Sequence, residues 1–295
     1  MIANPPKWPN NAKCAVAFSF DVDADSILHN LKRGKISDFQ HEIFQMRYDP
    51  FVALPRLCEI FGTRNVPVTW FVPGWVIKNY PSQIENLLRY KNEIAHHGFY
   101  HESPNLQSFE QEQEALQQGI SVIQTLIGKK PVGYRAPYYA VSKNTFDLLI
   151  TEGFIYDSSL FADDVPLLID NGHGNIIELP IPASIDDYNQ YVSNKTFDYL
   201  MKVSSPENAL EVFKAEFEAM WQFGGLWVGV WHPAVSGRPA QAQSIVKLIE
   251  YMQQKGGVWF ATHEEIANHI KGLIARNEWE PRLEKVPIYS KPILD

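Results

Sequence analysis

The stretch Cys14-Ala15-Val16-Ala17-Phe18-Ser19-Phe20-Asp21-Val22-Asp23 decides how the rest of the chain is read. Its apolar run has the length and composition of a β-strand, and it ends in two carboxylates. Asp21 and Asp23 alternate by two, so on an extended chain they share a side, while Val22 points into the opposite wall. An isolated Asp-x-Asp is commonly only a solvated strand end. After so apolar a strand, with histidines available downstream, it reads as one carboxylate to ligate and one to act as a base.

Working outward, strand-like runs alternate with helical periodicity. Helix 50–62 precedes strand 66–72, and helix 81–90 precedes strand 94–97. Helix 108–127, strand 132–135, helix 142–152 and strand 154–157 follow, then helix 206–223, strand 226–231, helix 239–255, strand 258–262 and a last helix from His263. About seven strands alternating with helices predict an α/β fold, a parallel (β/α)-barrel, complete or incomplete, rather than two domains. Residues 14–270 form the expected core of a single domain. From about residue 271 an extended tail begins, whose Trp279, Ile288, Tyr289 and Ile293 need its own domain or a neighbouring subunit to pack on. Segments 24–49 and 161–205 break the rhythm. In parallel β/α folds the loops at the carboxyl ends of strands build the site, so both segments are expected to cover it.

Composition excludes several classes of function. Against 34 acidic residues stand 26 basic ones, a formal charge of -8, with no long basic run, so nucleic acid is not an expected partner. No export-type leader or stretch of about 18 apolar residues is present, which predicts a cytoplasmic protein without a membrane partner. Cys14 and Cys58 fall in a core strand and a helix and are expected as free thiols. No phosphate-binding glycine loop and no Gly-x-Ser-x-Gly elbow occurs, which disfavours nucleotide binding and serine catalysis.

Candidate site residues fall at predicted strand ends: Asp21, Asp23, His97, Arg135, Asp157 and His232. Parallel neighbours in one barrel bring such ends to one face. His97-Gly98-Phe99-Tyr100-His101 places two imidazoles four residues apart, which on a helical turn stacks one ring above the other. The alternative partner, His96, lies five residues from His101 and does not share that face. Arg135-Ala136-Pro137-Tyr138 offers a guanidinium to hold a carboxylate by paired hydrogen bonds, and a proline turn that can aim a backbone N–H inward as an oxyanion donor. In Trp231-His232-Pro233 the histidine can donate a proton to a leaving amine.

These four segments, in this order and spacing across residues 14–270, resemble the polysaccharide deacetylase family, whose members share the NodB homology domain, a distorted (β/α)-barrel. The resemblance implies a divalent metal and hydrolysis of N-acetyl or related amide groups. It makes Asp21 the base, Asp23, His97 and His101 the metal ligands, Arg135 the residue that orients Asp21, and His232 the general acid. The segment around Tyr138 would supply the oxyanion N–H, and Asp157 is its least specific assignment. The commoner family pattern has adjacent aspartates. Here Val22 separates them, which leaves Asp25 open as a ligand and is similar to an intracellular branch containing peptidoglycan-deacetylase-like proteins and cyclic-imide hydrolases, some of them homo-oligomers.

The expectation is therefore a metal-dependent hydrolase of a non-peptide C–N bond, with zinc favoured and Co2+, Fe2+ or Mn2+ suited to the same donors. The substrate expected is a small soluble molecule, an N-acetylated sugar or a cyclic amide, met by aromatics such as Tyr138, Tyr139, Trp231 and Phe161. Two alternatives stand beside it: a cyclic-imide hydrolase, and a catalytically inactive binding protein on the same barrel.

Overall fold

The computed structural model describes residues 1–195, 198–201 and 205–289. In chain order its strands are β1 (Cys14–Asp21), β2 (Val68–Val72), β3 (Glu93–His96), β4 (Gly133–Tyr134), β5 (Tyr156–Asp157), β6 (Leu167–Asp170), β7 (Asn175–Glu178), β8 (Val192–Lys195), β9 (Asp198–Met201), β10 (Leu226–Trp231), β11 (Val258–Phe260) and β12 (Leu283–Lys285). The main sheet runs β10-β1-β2-β3-β4-β5-β7-β6-β12, and β8 and β9 form a separate ribbon. All seven strands expected from the sequence are present, and each pairs in parallel with its neighbours. Hydrogen bonding leaves the sheet open between β10 and β12.

β1 organises the sheet. It pairs with β10 from Ala15 to Phe20, with β2 from Phe18 to Asp21 and with β11 from Cys14 to Val16. Its alternation sorts the core: Val16, Phe18, Phe20 and Val22 join one apolar cluster, packed with Leu57, Phe61, Phe217 and Leu248 from the helices. Ala15 and Ala17 join another with Phe71, Ala95, Val228 and Ile266. Ser19 and Asp21 continue the second face, so Asp21 is delivered inward and fully buried by the period-two rule alone.

Helix ends follow local chemistry. Phe109–Ile127 starts at a capping box between Ser108 and Gln111 and ends at Gly128, whose φ of 73° needs no Cβ. His263–Ala275 starts at a second capping box, Thr262 with Glu265.

The two irregular segments contain more order than their composition shows. Within 24–49 lie the short helices Ser26–Leu31 and Gln40–Met46, joined by a small apolar cluster of Ile27, Leu28 and Met46. Within 161–205 lies the β6–β7 hairpin, whose β7 extends the parallel sheet beside β5. In a segment rich in Asp, Asn and Pro, without alternating helical periods around them, these four-residue strands do not stand out. The tail packs on its own chain: β12 pairs with β6, and the buried Trp279 donates its indole N–H to the Asn4 carbonyl. Ile288 and Tyr289 are exposed, and Ile293 lies outside the described residues. Cys14 and Cys58 are buried free thiols, as expected.

Candidate active site

The adjacent histidines His96 and His97 leave β3 on opposite faces. The His96 ring is fully buried, with Nε2 at 3.0 Å from the Leu116 carbonyl and Nδ1 at 3.1 Å from the Gly98 N–H. Nδ1 must accept from that N–H, so Nε2 carries the proton and donates to Leu116. Burial drives its pKa down to about 3. Any Cβ at position 119 would sit 2.1 Å from His96 Nε2, so Gly119 is required where this helix passes the ring. His96 is a saturated core residue.

His97 faces the other way. Its Nδ1 lies 2.8 Å from the Arg135 carbonyl, which accepts the ring N–H and leaves the Nε2 lone pair directed inward. That nitrogen stands 3.5 Å from Asp23 Oδ1 and 3.7 Å from Asp21 Oδ2. His101 Nε2 is 3.5 Å from Asp23 Oδ2, and the two imidazole rings are 5.0 Å apart. The expected helical turn between them is absent. Residues 97–101 form a tight loop with Gly98 at φ 70° and His101 at φ 57°. The Glu102 carboxylate holds it by accepting from the Phe99 N–H at 2.9 Å and from the Tyr100 N–H. Spacing found the pair; a carboxylate-tied loop supplies the geometry.

Asp23, His97 and His101 offer one ligand atom each, all within 4.8 Å of one another and all buried. Among the described residues Asp23 Oδ1 and His97 Nε2 have no hydrogen-bond partner. A buried carboxylate oxygen facing a buried imidazole lone pair is unfavourable without a positive charge between them. Two nitrogens and a carboxylate in this arrangement fit a divalent cation. Burial alone would raise the Asp23 pKa, but His101, His97 and His232 hold it below the usual carboxylate range.

Asp21 stands between this cluster and Arg135. Arg135 is buried and fully committed: Nη1 donates to Asp21 Oδ1 at 2.7 Å and to Ser19 Oγ at 2.9 Å, Nε to the Ser158 carbonyl at 2.9 Å, and Nη2 to Ser158 Oγ at 3.1 Å. The Phe71 ring lies 3.9 Å beneath the guanidinium. The expected paired contact to the carboxylate is therefore a single one, and Asp21 Oδ2 is left aimed at the cluster.

His232 closes the other side, with Nε2 at 4.0 Å from Asp21 Oδ2 and 3.9 Å from Asp23 Oδ2. Asp187, which sequence reasoning missed, holds it. One Asp187 oxygen is 2.7 Å from His232 Nδ1; the other accepts from the His232 backbone N–H at 2.8 Å and from Ser236 Oγ at 2.6 Å. Burial pulls the His232 pKa down, but Asp187, then Asp23 and Asp21, outweigh it and push it up to about 10. Only its place in a segment expected to cover the site pointed to Asp187.

A cavity of about 230 Å³ opens here, lined by Asp21, Asp23, Ile27, His97, His101, Tyr138, Tyr139, Asp186, Tyr188 and His232. It lies below the usual range of about 300–1,000 Å³ for ligand pockets. Tyr138 also borders a wider groove of about 710 Å³ that includes Asn30, Tyr100, Gln107 and Gln111. Tyr139 donates its hydroxyl to Asp186 at 2.6 Å, and Phe161 packs on the Tyr139 ring at 5.0 Å.

Three candidates lie elsewhere. The Trp231 ring is not at the mouth: it is fully buried against Phe18, Phe20 and Phe213 and donates to the Ile185 carbonyl, because period-two alternation turns it to the helical face while His232 turns inward. Asp157 is buried beside Glu178 and binds Ser159 at 2.8 Å, away from the cavity. Asp25 accepts from the Tyr80 hydroxyl at 2.6 Å and pairs with His29, outside the ligand cluster.

Comparison with known proteins gives the family. The polysaccharide deacetylase family model matches residues 49–154, a span holding His97, His101 and Arg135. The chain is 36% identical to a protein of known structure described as a polysaccharide deacetylase of Mycobacterium smegmatis, covering 100% of this chain and 99% of that one with a TM-score of 0.89. It is 27% identical to the peptidoglycan deacetylase of Helicobacter pylori, over 86% of this chain and 95% of that one. Identity to the peptidoglycan deacetylase-like protein FGM2 of Gibberella zeae is 28%, with 90% of each chain covered. From its strand order, its site and this full-length similarity, the chain belongs to the polysaccharide deacetylase family.

Proposed function

We propose that this protein is a metal-dependent hydrolase of a non-peptide carbon–nitrogen bond, a deacetylase-like enzyme acting on a small soluble substrate such as an N-acetylated sugar or a cyclic amide. The observation that carries this reading is the position of Asp21, clamped by Arg135 and facing the Asp23, His97 and His101 cluster with His232 opposite. A divalent cation, zinc first by donor type, would polarise the substrate carbonyl and acidify water at the site.

The protein's own groups divide the remaining work. Asp21 Oδ1 is occupied by Arg135, so Oδ2 is the base oxygen that receives the proton of the attacking water. His232, protonated and held at Nδ1 by Asp187, presents Nε2 to the departing nitrogen and supplies its proton. The turn that begins at Pro137 carries Tyr138 to the cavity wall, and this segment is assigned the backbone N–H that meets the developing oxyanion. Water is limited by the small cavity and by Ile27, Tyr138 and Tyr188 around it. A cavity of this size supports a single ring at the reacting centre, and the peptidoglycan deacetylases among its relatives support an N-acylated sugar.

The test is Asp21→Asn in zinc-loaded protein, assayed on a panel of acetamido sugars and cyclic imides. The amide keeps an acceptor for Arg135 but cannot take a proton. Turnover is expected to fall by about 10²–10⁴-fold with metal content unchanged. Retained turnover would overturn the assignment of Asp21, and wild-type protein with neither metal nor turnover would favour a binding protein on the same barrel.

A further inference from the structure

Backbone strain is concentrated at the site. Eight described non-glycine residues have a positive φ, and four of these are asparagines, which tolerate that region. The other four are Ala24 at φ 43°, His101 at 57°, Tyr138 at 58° and Tyr139 at 58°. Ala24 follows Asp23 directly, His101 is itself in the ligand cluster, and the two tyrosines line the cavity. Such conformations persist only where surrounding structure imposes them.

At Ala24 the imposing group is Asp49. Its Oδ2 accepts the Ala24 N–H at 2.9 Å across a sequence separation of 25 residues, closing the whole 24–49 excursion back onto the end of β1. Asp49 is itself buried, and its other oxygen has no hydrogen-bond partner among the described residues. Placing a carboxyl group there for a single backbone contact is costly, which marks the contact as one with a purpose. The neighbouring Asp23 carbonyl is held separately, by the Ser26 hydroxyl at 2.7 Å and the Ser26 N–H at 3.1 Å. Asp23 therefore leaves a strand end whose following peptide is fixed on both sides.

We propose that Asp49 is a positioning residue: it imposes the left-handed turn at Ala24 and thereby aims the Asp23 carboxylate into the ligand cluster. The inference rests on the metal-centre reading above. Segment 24–49 then does more than cover the site; it carries the clasp that shapes one ligand. Asp49 touches neither substrate nor the reacting atoms, and acts only through Ala24.

The test is zinc affinity of the full-length protein, measured by competition with a chromophoric chelator. Asp49→Ala should weaken zinc binding by about tenfold, the low end for groups that orient metal ligands. Asp49→Asn, which keeps an acceptor oxygen, should stay within about twofold of wild type, since the contact needs only a lone pair. Ala24→Gly added to Asp49→Ala should recover most of the loss, because glycine adopts φ 43° without a clasp. A structural role for Asp49 unrelated to Ala24 would not be rescued this way. Wild-type affinity in Asp49→Ala, or failure of Ala24→Gly to restore it, overturns the proposal. Should Asp49→Ala fail to fold, folding of the double variant supports it and failure of both overturns it. A wild-type protein that binds no zinc overturns the metal-centre reading and this inference with it.

Discussion

Two carboxylate–histidine groups face each other across one small cavity, and they differ in how completely their atoms are satisfied. Asp23, His97 and His101 come from strand ends and one tight loop, and among the described residues Asp23 Oδ1 and His97 Nε2 lack hydrogen-bond partners. Asp187 and His232 come from the inserted segment and the end of β10, and every Asp187 oxygen accepts a hydrogen bond. Unpaired lone pairs in a dry site suit a cation, whereas a saturated aspartate beside an imidazole suits a proton. In the proposed reading the first group holds a metal and the second holds a charge on a ring. Asp21 Oδ2 faces both sides, 3.7 Å from His97 Nε2 and 4.0 Å from His232 Nε2, which supports the proposal that it is the base.

The comparison can be broken most severely on the metal side. His97→Ala should abolish stoichiometric zinc binding, measured by metal analysis after gel filtration, because one of three protein ligands is lost. Because His97 is buried and holds the Arg135 carbonyl, far-UV circular dichroism of the variant is the control that separates loss of a ligand from loss of the fold. Zinc retained at wild-type level would show that the unpaired atoms are not ligands.

A smaller effect is expected on the proton side. Asp187→Asn should lower kcat by about 10²-fold, within the range for general acid–base groups, with zinc content unchanged. The sign of its pH effect follows from the charges. In the proposed mechanism His232 works protonated, so activity should be present below its pKa and lost as pH rises through it. Among the charges that raise it towards about 10, Asp187 is the largest, so its removal should move the alkaline limb of the kcat profile to lower pH. An unmoved limb would mean that His232 does not titrate in turnover.

The mildest test is Ser236→Ala, which removes one of the hydrogen bonds to Asp187. A loss of about 1 kcal/mol of positioning, a few-fold in kcat with unchanged KM, is expected. No change would show that the two contacts from His232 suffice to fix Asp187.

Much of this was legible along the chain, for an identifiable reason. The longer parallel strands β1, β2 and β10 announced themselves as buried apolar runs, and the shorter ones by their place between helical periods, whereas the β6–β7 hairpin lies in a segment rich in Asp, Asn and Pro that has no such rhythm around it. The structure sets His97 rather than His96 beside Asp23 and His101, but not by the helical turn that the spacing suggested: the ring directions follow strand alternation and a Glu102-tied loop. Trp231 was placed at the site by adjacency to His232, although neighbours on a strand point to opposite faces. Asp187 and Asp49 carry no local pattern, since their partners lie 45 and 25 residues away.

The sequence by itself determined the seven strands of the parallel core and which side chains emerge where they end, because apolar runs and period-two alternation are properties of a strand and its immediate neighbours. Only the tertiary structure decided which of those side chains are saturated and which are left with open lone pairs. Hydrogen-bond satisfaction depends on groups brought together across tens of residues, and it is that accounting which separates His96 from His97 and a metal ligand from a proton donor.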